Sequence, residues 1–161
     1  MSDWVAHQSG FIYNQEERAR RDATAWTLVQ GLLAPVQFVV FLVSLGLVMR
    51  TLLTGEGADW AGWSVVLKTL TLYTIMVTGA IWEKVVFGQY LFAPAFFWED
   101  MVSMLVIALH TAAVAAWLLG DQWLSLENQL WLALAAYAAY VVNAGQFLYK
   151  LRLARAEVVA S

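Results

Sequence analysis

Four long apolar segments dominate this chain and restrict the folds that it can adopt. They cover residues 26–53, 64–87, 98–119 and 126–149, and each is near the ~20 residues that a helix needs to cross a bilayer. A segment of this kind must satisfy its backbone hydrogen bonds internally, as a helix does. We therefore predict an all-α fold, an integral membrane bundle of four transmembrane helices. It forms a single domain over residues 1–161, with an amphipathic N-terminal segment (1–25) and a short basic C-terminal tail.

The composition agrees with a membrane environment. The chain is 61% hydrophobic and 13% charged, whereas a soluble domain has about 25% charged residues. A formal net charge of −3 argues against nucleic acid as a partner. The absence of cysteine excludes disulfides, thiolate metal sites and cysteine nucleophiles. Residues 1–25 are polar and mixed in charge, so no signal peptide is predicted.

Lysine and arginine are distributed unequally between the two sides of the predicted bundle. One side contains Arg18, Arg20, Arg21, Lys84, Lys150, Arg152 and Arg155. Only Arg50 and Lys68 are assigned to the other side. Because basic residues are enriched in cytoplasmic loops, both termini and the central loop are predicted to be cytoplasmic.

The most unusual stretch of the chain joins the second and third apolar segments, at residues 81–100. It places Glu83, Glu99 and Asp100 close to Trp82 and Lys84 at the edge of a bilayer. Charged groups are costly there, so they usually face a cavity, pair with one another or serve function. Helix ends offer a simpler explanation, because acidic groups favour a helix N-terminus. Both explanations stay open, and the three carboxyl groups are our candidate catalytic residues.

The loop at residues 88–98 is too apolar to be a solvated linker. It contains Tyr90, Phe97 and Trp98. These rings either anchor the loop in the headgroup region or form the wall of a pocket for a planar ligand, since aromatic faces stack on π-systems. With Trp82 and Lys84 they are our candidate substrate-binding residues.

Each predicted helix also has one polar face. The residues that share a face by helical spacing are Gln30, Gln37 and Ser44; Thr71, Thr74 and Thr78; Glu99, Ser103 and His110; and Tyr140, Asn143 and Gln146. Such side chains often only join membrane helices through modest hydrogen bonds. Their concentration near one end predicts a polar cavity that opens to the cytoplasmic surface. Gln37 and Asn143 are therefore further substrate-binding candidates.

Motifs of several enzyme classes are missing from the sequence. It contains no HExxH, glycine-rich phosphate loop, nucleophile elbow or paired-histidine metal motif. This argues against protease, NTPase and dinucleotide chemistry, and we predict no metal site.

Three stretches carry a resemblance to a known family. They are YNQEERARRD at 13–22, WTLVQGLLAPVQF at 26–38 and KTLTLYTIMVTGAIWEKVVFGQYLFAPAFFWEDMVSM at 68–104. In these stretches the chain resembles the 3-vinyl bacteriochlorophyllide hydratase family of bacteriochlorophyll biosynthesis. The similarity covers nearly the whole chain and is weakest at residues 55–62 and at both ends.

The resemblance implies a hydro-lyase that adds water across the C3 vinyl group of chlorophyllide a or 3-vinyl bacteriochlorophyllide a. The product carries a 3-(1-hydroxyethyl) group. The resemblance also implies a multi-pass protein of the bacterial inner (intracytoplasmic) membrane, with lipid and the pigment as partners. Contacts with a second copy or with other enzymes of pigment biosynthesis stay open.

The candidate residues suit this chemistry without an added cofactor, and magnesium enters only as part of the substrate pigment. Glu83 and either Glu99 or Asp100 would supply a proton and take one from water. The aromatic candidates would hold the macrocycle. The basic candidates for its propionate are Lys84, Arg21 and Lys150.

His110 lies deep in the third predicted helix. A lone buried histidine is most often a hydrogen-bonded structural residue. Its functional alternatives are to ligate the pigment magnesium or to relay a proton, and we include it among the substrate-binding candidates.

Two other functions compete with a hydratase. A non-catalytic pigment-binding or assembly subunit of the photosynthetic membrane would use the same aromatics and His110 without paired carboxylates. A small transporter or channel subunit would also have four helices with internal polar residues. It ranks lower because the polar residues gather at one side of the membrane instead of running through it.

Overall fold

The computed structural model describes residues 11–160, with side chains to residue 159, and its regular structure is entirely α-helical. The helices are α1 (Gln15–Ala23), α2 (Ala25–Thr54), α3 (Ala58–Phe87), α4 (Phe97–Leu119) and α5 (Leu126–Ala160). The predicted all-α class is confirmed. The first ten residues of the predicted N-terminal amphipathic segment lie outside the described residues.

Four of these helices, α2 to α5, are long and apolar enough to cross a membrane. Their outer faces expose large apolar side chains such as Leu28, Val39 and Leu105. A lipid-embedded bundle needs no polar exterior, because lipid tails are as apolar as these side chains. The orientation of the termini rests on charge alone and stays a prediction.

Two helix boundaries differ from the predicted ones. Helix α3 begins at Ala58 rather than at residue 64, because the turn needs only the segment around Gly55 and Gly57. Both glycines have a left-handed backbone, with φ 75° and 86°, which glycine adopts without steric cost. Helix α5 continues to Ala160 through the predicted tail, whose Leu, Ala, Arg and Glu residues favour helix.

The long helices pack in pairs around an apolar core. Helix α2 lies against α3 and α4 lies against α5, while contacts of α3 with α4 and of α2 with α5 close the bundle. Phe41 packs edge-to-face on Tyr137, with ring centroids 5.5 Å apart. The core also contains the fully buried Val48, Ala61, Val106 and Ala136.

Helix α1 docks on the end of the bundle where α3 stops. Asn14 begins the helix with a capping box, and Arg20 Nε donates to the Val86 carbonyl at 2.8 Å. The Tyr13 ring stacks on Phe87 with centroids 5.7 Å apart. These contacts place a short amphipathic helix beside the loop that contains the candidate site.

Candidate active site

Three buried carboxyl groups meet at the end of the bundle on which α1 docks. Glu83 comes from the end of α3, and Glu99 and Asp100 come from the first turn of α4. These residues are only 4%, 6% and 3% exposed. Buried carboxyl groups need hydrogen-bond or charge partners, and each of the three has a different set. We call Glu83, Glu99 and Asp100 the carboxyl cluster.

Glu83 and Asp100 hold the loop that joins α3 to α4. Glu83 Oε1 accepts the Ala93 N–H at 3.0 Å, and Asp100 Oδ2 accepts the Phe92 N–H at 2.7 Å. Phe92 has a left-handed backbone with φ 60°, which costs a non-glycine residue about 1–3 kcal/mol. The two carboxyl groups therefore keep a strained loop in place.

The side chains of Glu83 and Asp100 also lie within hydrogen-bonding reach of each other. Two acidic groups in contact are most compatible when they share one proton. Asp100 is close enough to Glu99 for a repulsive electrostatic interaction as well. Asp100 therefore links Glu83 and Glu99 into one group.

Glu99 has different surroundings from the other two. Its Oε1 lies 3.7 Å from Lys150 Nζ of α5, whereas its Oε2 is buried and has no hydrogen-bond partner among the described residues. Lys150 Nζ also donates to the Ala95 carbonyl and so connects α5 to the loop. Leaving a buried acceptor unsatisfied is costly. Glu99 Oε2 is therefore an atom that can accept a hydrogen bond from a ligand.

Asn143 and Ser103 support Glu99 through its backbone. Asn143 Nδ2 donates to the Glu99 carbonyl at 2.9 Å. The Ser103 hydroxyl lies 2.8 Å from the same carbonyl and 3.0 Å from Asn143 Oδ1. The structure thus places Asn143, a predicted substrate-binding residue, next to the cluster but in contact with the α4 backbone.

Trp82 packs inside the protein beside the cluster. Its Nε1 donates to Thr27 Oγ1 at 2.9 Å, and its ring meets Phe96 edge-to-face with centroids 5.7 Å apart. The half-buried ring forms part of the apolar surroundings of the loop.

The other aromatic candidates lie on the outer surface. Tyr90, Phe97 and Trp98 are 60%, 41% and 71% exposed. Lys84 is exposed beside them, donates to the Gly88 carbonyl at 2.7 Å and lies 5.4 Å from the Tyr90 ring centroid. Phe97 and Trp98 pack on each other with ring centroids 5.5 Å apart, so the four side chains form two exposed pairs at the helix ends and the loop next to the carboxyl cluster.

The α3–α4 loop bonds to two of the carboxyl groups at the end where an open polar cavity is predicted. The loop is buried at Ala93, Ala95 and Phe96. Its backbone N–H groups donate hydrogen bonds to carboxyl oxygens that would otherwise be available to a ligand. Glu83 and Asp100 are therefore engaged by the loop, whereas Glu99 Oε2 has no partner among the described residues.

Gln37 and His110 lie away from the carboxyl cluster, in the middle of the bundle. His110 is eleven residues beyond Glu99, or about 16 Å along α4. Beside it lies Lys68, which is fully buried and has its Nζ 3.7 Å from the Tyr140 ring centroid.

Lys68 was assigned to the far side of the membrane because it follows the predicted start of the second helix closely. The earlier start of α3 at Ala58 places it ten residues, or about 15 Å, inside the helix. Lys68 shares the buried face of α3 with Ala61 and Leu72, but their spacing alone does not show which face of the helix is buried.

The fold is a helical bundle with four helices long and apolar enough to cross a membrane, and three buried carboxyl groups lie at one end of it. A family model described as 2-vinyl bacteriochlorophyllide hydratase (BCHF) matches residues 13–153. The chain belongs to this family of hydratases, which is the family indicated by the resemblance. The two family names differ in the number given to the vinyl-bearing carbon.

Two curated relatives have the same name. The 2-vinyl bacteriochlorophyllide hydratase of Cereibacter sphaeroides is 64% identical over 150 residues, which cover 93% of this chain and 92% of the relative. That of Rhodobacter capsulatus is 65% identical over 150 residues, which cover 92% of this chain and 85% of the relative. No solved structure matches the chain.

Within residues 11–160, no three His, Asp or Glu side chains are grouped as ligands for a metal ion. The side chains at the site can donate and accept protons, and Lys150 can hold a negative charge.

Proposed function

We propose that this chain adds water across the C3 vinyl group of chlorophyllide a or 3-vinyl bacteriochlorophyllide a and gives the 3-(1-hydroxyethyl) product. Membership of the hydratase family supports the reaction class. The observation that supports the location of the chemistry is the carboxyl cluster, buried at 3–6% exposure beside a surface of aromatic side chains.

The reaction needs one acid and one base. A proton is added to the terminal vinyl carbon, and the positive charge develops on the carbon attached to the macrocycle, which delocalises it. Water then bonds to that carbon and loses a proton to the base. General acid and base groups of this kind contribute about 10²–10⁴-fold each, and a nearby carboxylate stabilises the cation.

The contacts favour a division of these roles within the cluster. Glu83 and Asp100 touch each other, so a proton held between them is available for the vinyl carbon. Glu99 Oε2 is unpaired and would accept the proton of the attacking water. Lys150, 3.7 Å from Glu99, would hold the Glu99 side chain in position.

The substrate would approach from the side of the α3–α4 loop. Tyr90, Phe97 and Trp98 are exposed there, and their rings would hold the macrocycle by stacking. Lys84 lies beside Tyr90 and would pair with a propionate of the pigment. Because the carboxyl groups bond to the loop backbone, the loop would have to release Phe92 and Ala93 for the vinyl group to reach them.

The proposal includes no resident cofactor, and the pigment brings its own magnesium. The protein would lie in the inner (intracytoplasmic) membrane of a photosynthetic bacterium with both termini in the cytoplasm. Its four long apolar helices support a multi-pass arrangement.

The test is incubation of membranes containing the wild-type protein or Glu99→Gln with chlorophyllide a, with products separated by chromatography and identified by mass. The wild type should form a product heavier by one water with a blue-shifted red absorption band. Glu99→Gln should lower the rate about a hundredfold or more, because the amide cannot act as a base. Glu127→Gln, at an exposed site at the start of α5, is the matched control and should keep full activity.

Two results would count against the proposal. Full activity of Glu99→Gln would remove the proposed base. Pigment that binds the wild-type protein but stays unchanged, with 3-vinyl bacteriochlorophyllide a also unchanged, would favour a non-catalytic pigment-binding subunit.

A further inference from the structure

A second group of polar residues lies in the middle of the bundle, and the proposed reaction does not use it. Each membrane-spanning helix contributes one residue: Gln37 from α2, Lys68 from α3, His110 from α4 and Tyr140 from α5. All four are buried, and Lys68 and His110 are completely inaccessible. We call these four residues the inner polar cluster. Ionisable groups inside a membrane are expensive, so such a cluster needs an explanation.

Three pairs of side chains link the four residues. Lys68 Nζ lies 3.7 Å from the centroid of the Tyr140 ring, and the Gln37 side chain lies within hydrogen-bonding reach of the Tyr140 hydroxyl. Lys68 and His110 are close enough to interact electrostatically. Tyr140 therefore joins Gln37 and Lys68, and Lys68 extends the group to His110.

Three polar atoms of the cluster have no hydrogen-bond partner among the described residues. They are Lys68 Nζ, His110 Nε2 and Gln37 Oε1. His110 Nδ1 lies 2.8 Å from the Val106 carbonyl, and a carbonyl can only accept, so Nδ1 carries a proton. In the neutral ring Nε2 is then an acceptor. The unsatisfied atoms are thus one donor group and two acceptors.

The charges around Lys68 leave its ammonium group poorly compensated. From α4 it faces His110, and from α5 it faces the Tyr140 ring, while Gln37 of α2 adds a neutral amide. Within residues 11–160 Lys68 has no salt-bridge partner, because the ion pairs there involve other basic side chains. A cation–π contact alone is worth about 2 kcal/mol when desolvated, so a further hydrogen-bond acceptor would stabilise the group.

We propose that Lys68, His110 and Gln37 bind one buried water molecule between the four helices. The water oxygen accepts a hydrogen bond from Lys68 Nζ, and its two hydrogens are donated to His110 Nε2 and Gln37 Oε1. All three unsatisfied atoms are then paired. Buried waters in proteins typically make about three hydrogen bonds to polar groups that would otherwise be unsatisfied, which is the arrangement that this cluster provides.

The arrangement of donors and acceptors selects water over an anion. An anion would be attracted to Lys68, but it would face the acceptor atoms of Gln37 and His110, which cannot donate to it. Water satisfies both kinds of atom because it donates and accepts. The site is also separate from the carboxyl cluster, since His110 is about 16 Å from Glu99 along α4. The inference therefore stands whether or not the proposed reaction is correct.

Occupancy by water also bears on the roles of His110. The same Nε2 cannot bind water and ligate the magnesium of a pigment at once. A bound water therefore excludes magnesium ligation by His110, while a structural role and a proton relay both stay open.

The test is an experimental structure of the full chain without pigment, at a resolution that shows ordered water, with and without a bromide soak. We expect one density peak within hydrogen-bonding distance of Lys68 Nζ, His110 Nε2 and Gln37 Oε1. The peak should give no anomalous signal with bromide. Lys68→Met and His110→Phe, which remove one partner at similar volume, should lose it. Thr69→Val is the matched control, because buried Thr69 bonds to its own helix at Val65, and it should keep the peak.

Two results would overturn the proposal. One is an anomalous bromide peak at the site, which would make it an anion site. The other is a wild-type structure in which the three atoms bond directly to protein and no peak lies between them. Should the variants fail to fold, these two wild-type outcomes still decide the question.

Discussion

Asp100 combines a structural contact with a proposed chemical role, and the two can be separated by substitution. Its Oδ2 accepts the Phe92 N–H at 2.7 Å, which needs only an acceptor oxygen. Proton donation needs a carboxyl group. Asp100→Asn keeps an acceptor oxygen, whereas Asp100→Ala removes it.

We therefore expect the free energy of unfolding of Asp100→Asn to lie within about 1 kcal/mol of the wild-type value. Asp100→Ala should lower the free energy of unfolding by about 1.5–3 kcal/mol, the usual contribution of a hydrogen bond to a charged group. Both variants should lose most hydration activity. Thermal unfolding in detergent and the chlorophyllide assay measure the two effects. If Asp100→Asn stays active, Asp100 holds the loop and does not donate a proton in the reaction.

Tyr13 offers a pH-dependent test of how α1 docks. Burial raises the pKa of its hydroxyl to about 12, above the unfolded value of about 10. The neutral form is therefore favoured in the folded state. The stability from this group is complete below pH 10 and is lost as the pH rises towards 12.

We expect proteolysis near α1 to accelerate over that pH range in the wild type. Tyr13→Phe cannot ionise and should show a flatter pH profile, while keeping the stacking on Phe87. Equal profiles would mean that Tyr13 does not control the docking of α1.

At the scale of elements, the spans of the four long helices were predictable because bilayer thickness sets the length of an apolar run. The start of α3 could not be predicted, since left-handed glycines shorten the turn to Gly55–Gly57, and Asp59 and Gly62 in the residues that follow resemble a loop. The extension of α5 was missed because its charged residues resemble a tail, although they are good helix formers.

Close packing between α3 and α4 depends on the absence of a side chain at Gly62. A Cβ there would overlap the Trp117 ring, whereas a Cβ at Gly31 would meet nothing within 4 Å. Gly62→Ala should therefore lower stability by about 1–3 kcal/mol through overpacking. Gly31→Ala should raise it by up to about 1 kcal/mol, because alanine favours helix.

Thermal unfolding of both glycine variants in the same detergent measures this difference. The comparison controls for helix propensity, since both positions lie inside long helices. A Gly62→Ala protein as stable as Gly31→Ala would contradict the packing of these two helices.

At the scale of the whole molecule, the sequence located the carboxyl groups but not their surroundings. Glu83, Glu99 and Asp100 stood out because charge is rare near a bilayer, and the fold brings them together. Helical spacing alone did not show that Asn143 faces a backbone carbonyl or that Lys68 is buried. Those facts depend on how helices rotate against one another, which no single-helix pattern determines.

The predicted orientation can be tested because the chain has no native cysteine. Helix α5 has 35 residues, or about 52 Å, which is long enough for its two ends to reach opposite sides of a bilayer. We expect a cysteine in place of exposed Gln122, before α5, to react with an impermeant maleimide from outside the cytoplasm. A cysteine in place of exposed Ala156 should react only after the membrane is opened. The reverse pattern would invert the topology.

The hydrogen bonds from the Phe92 and Ala93 N–H groups to Asp100 and Glu83 also affect ligand binding. If the pigment needs the same carboxyl oxygens, the loop backbone is its competitor, and apparent affinity falls by the fraction of molecules in the open form. Phe92→Pro removes the N–H that Asp100 accepts and leaves all three carboxyl groups in place, so it should raise the apparent affinity for the pigment. Affinity at this site is therefore limited by the closed loop.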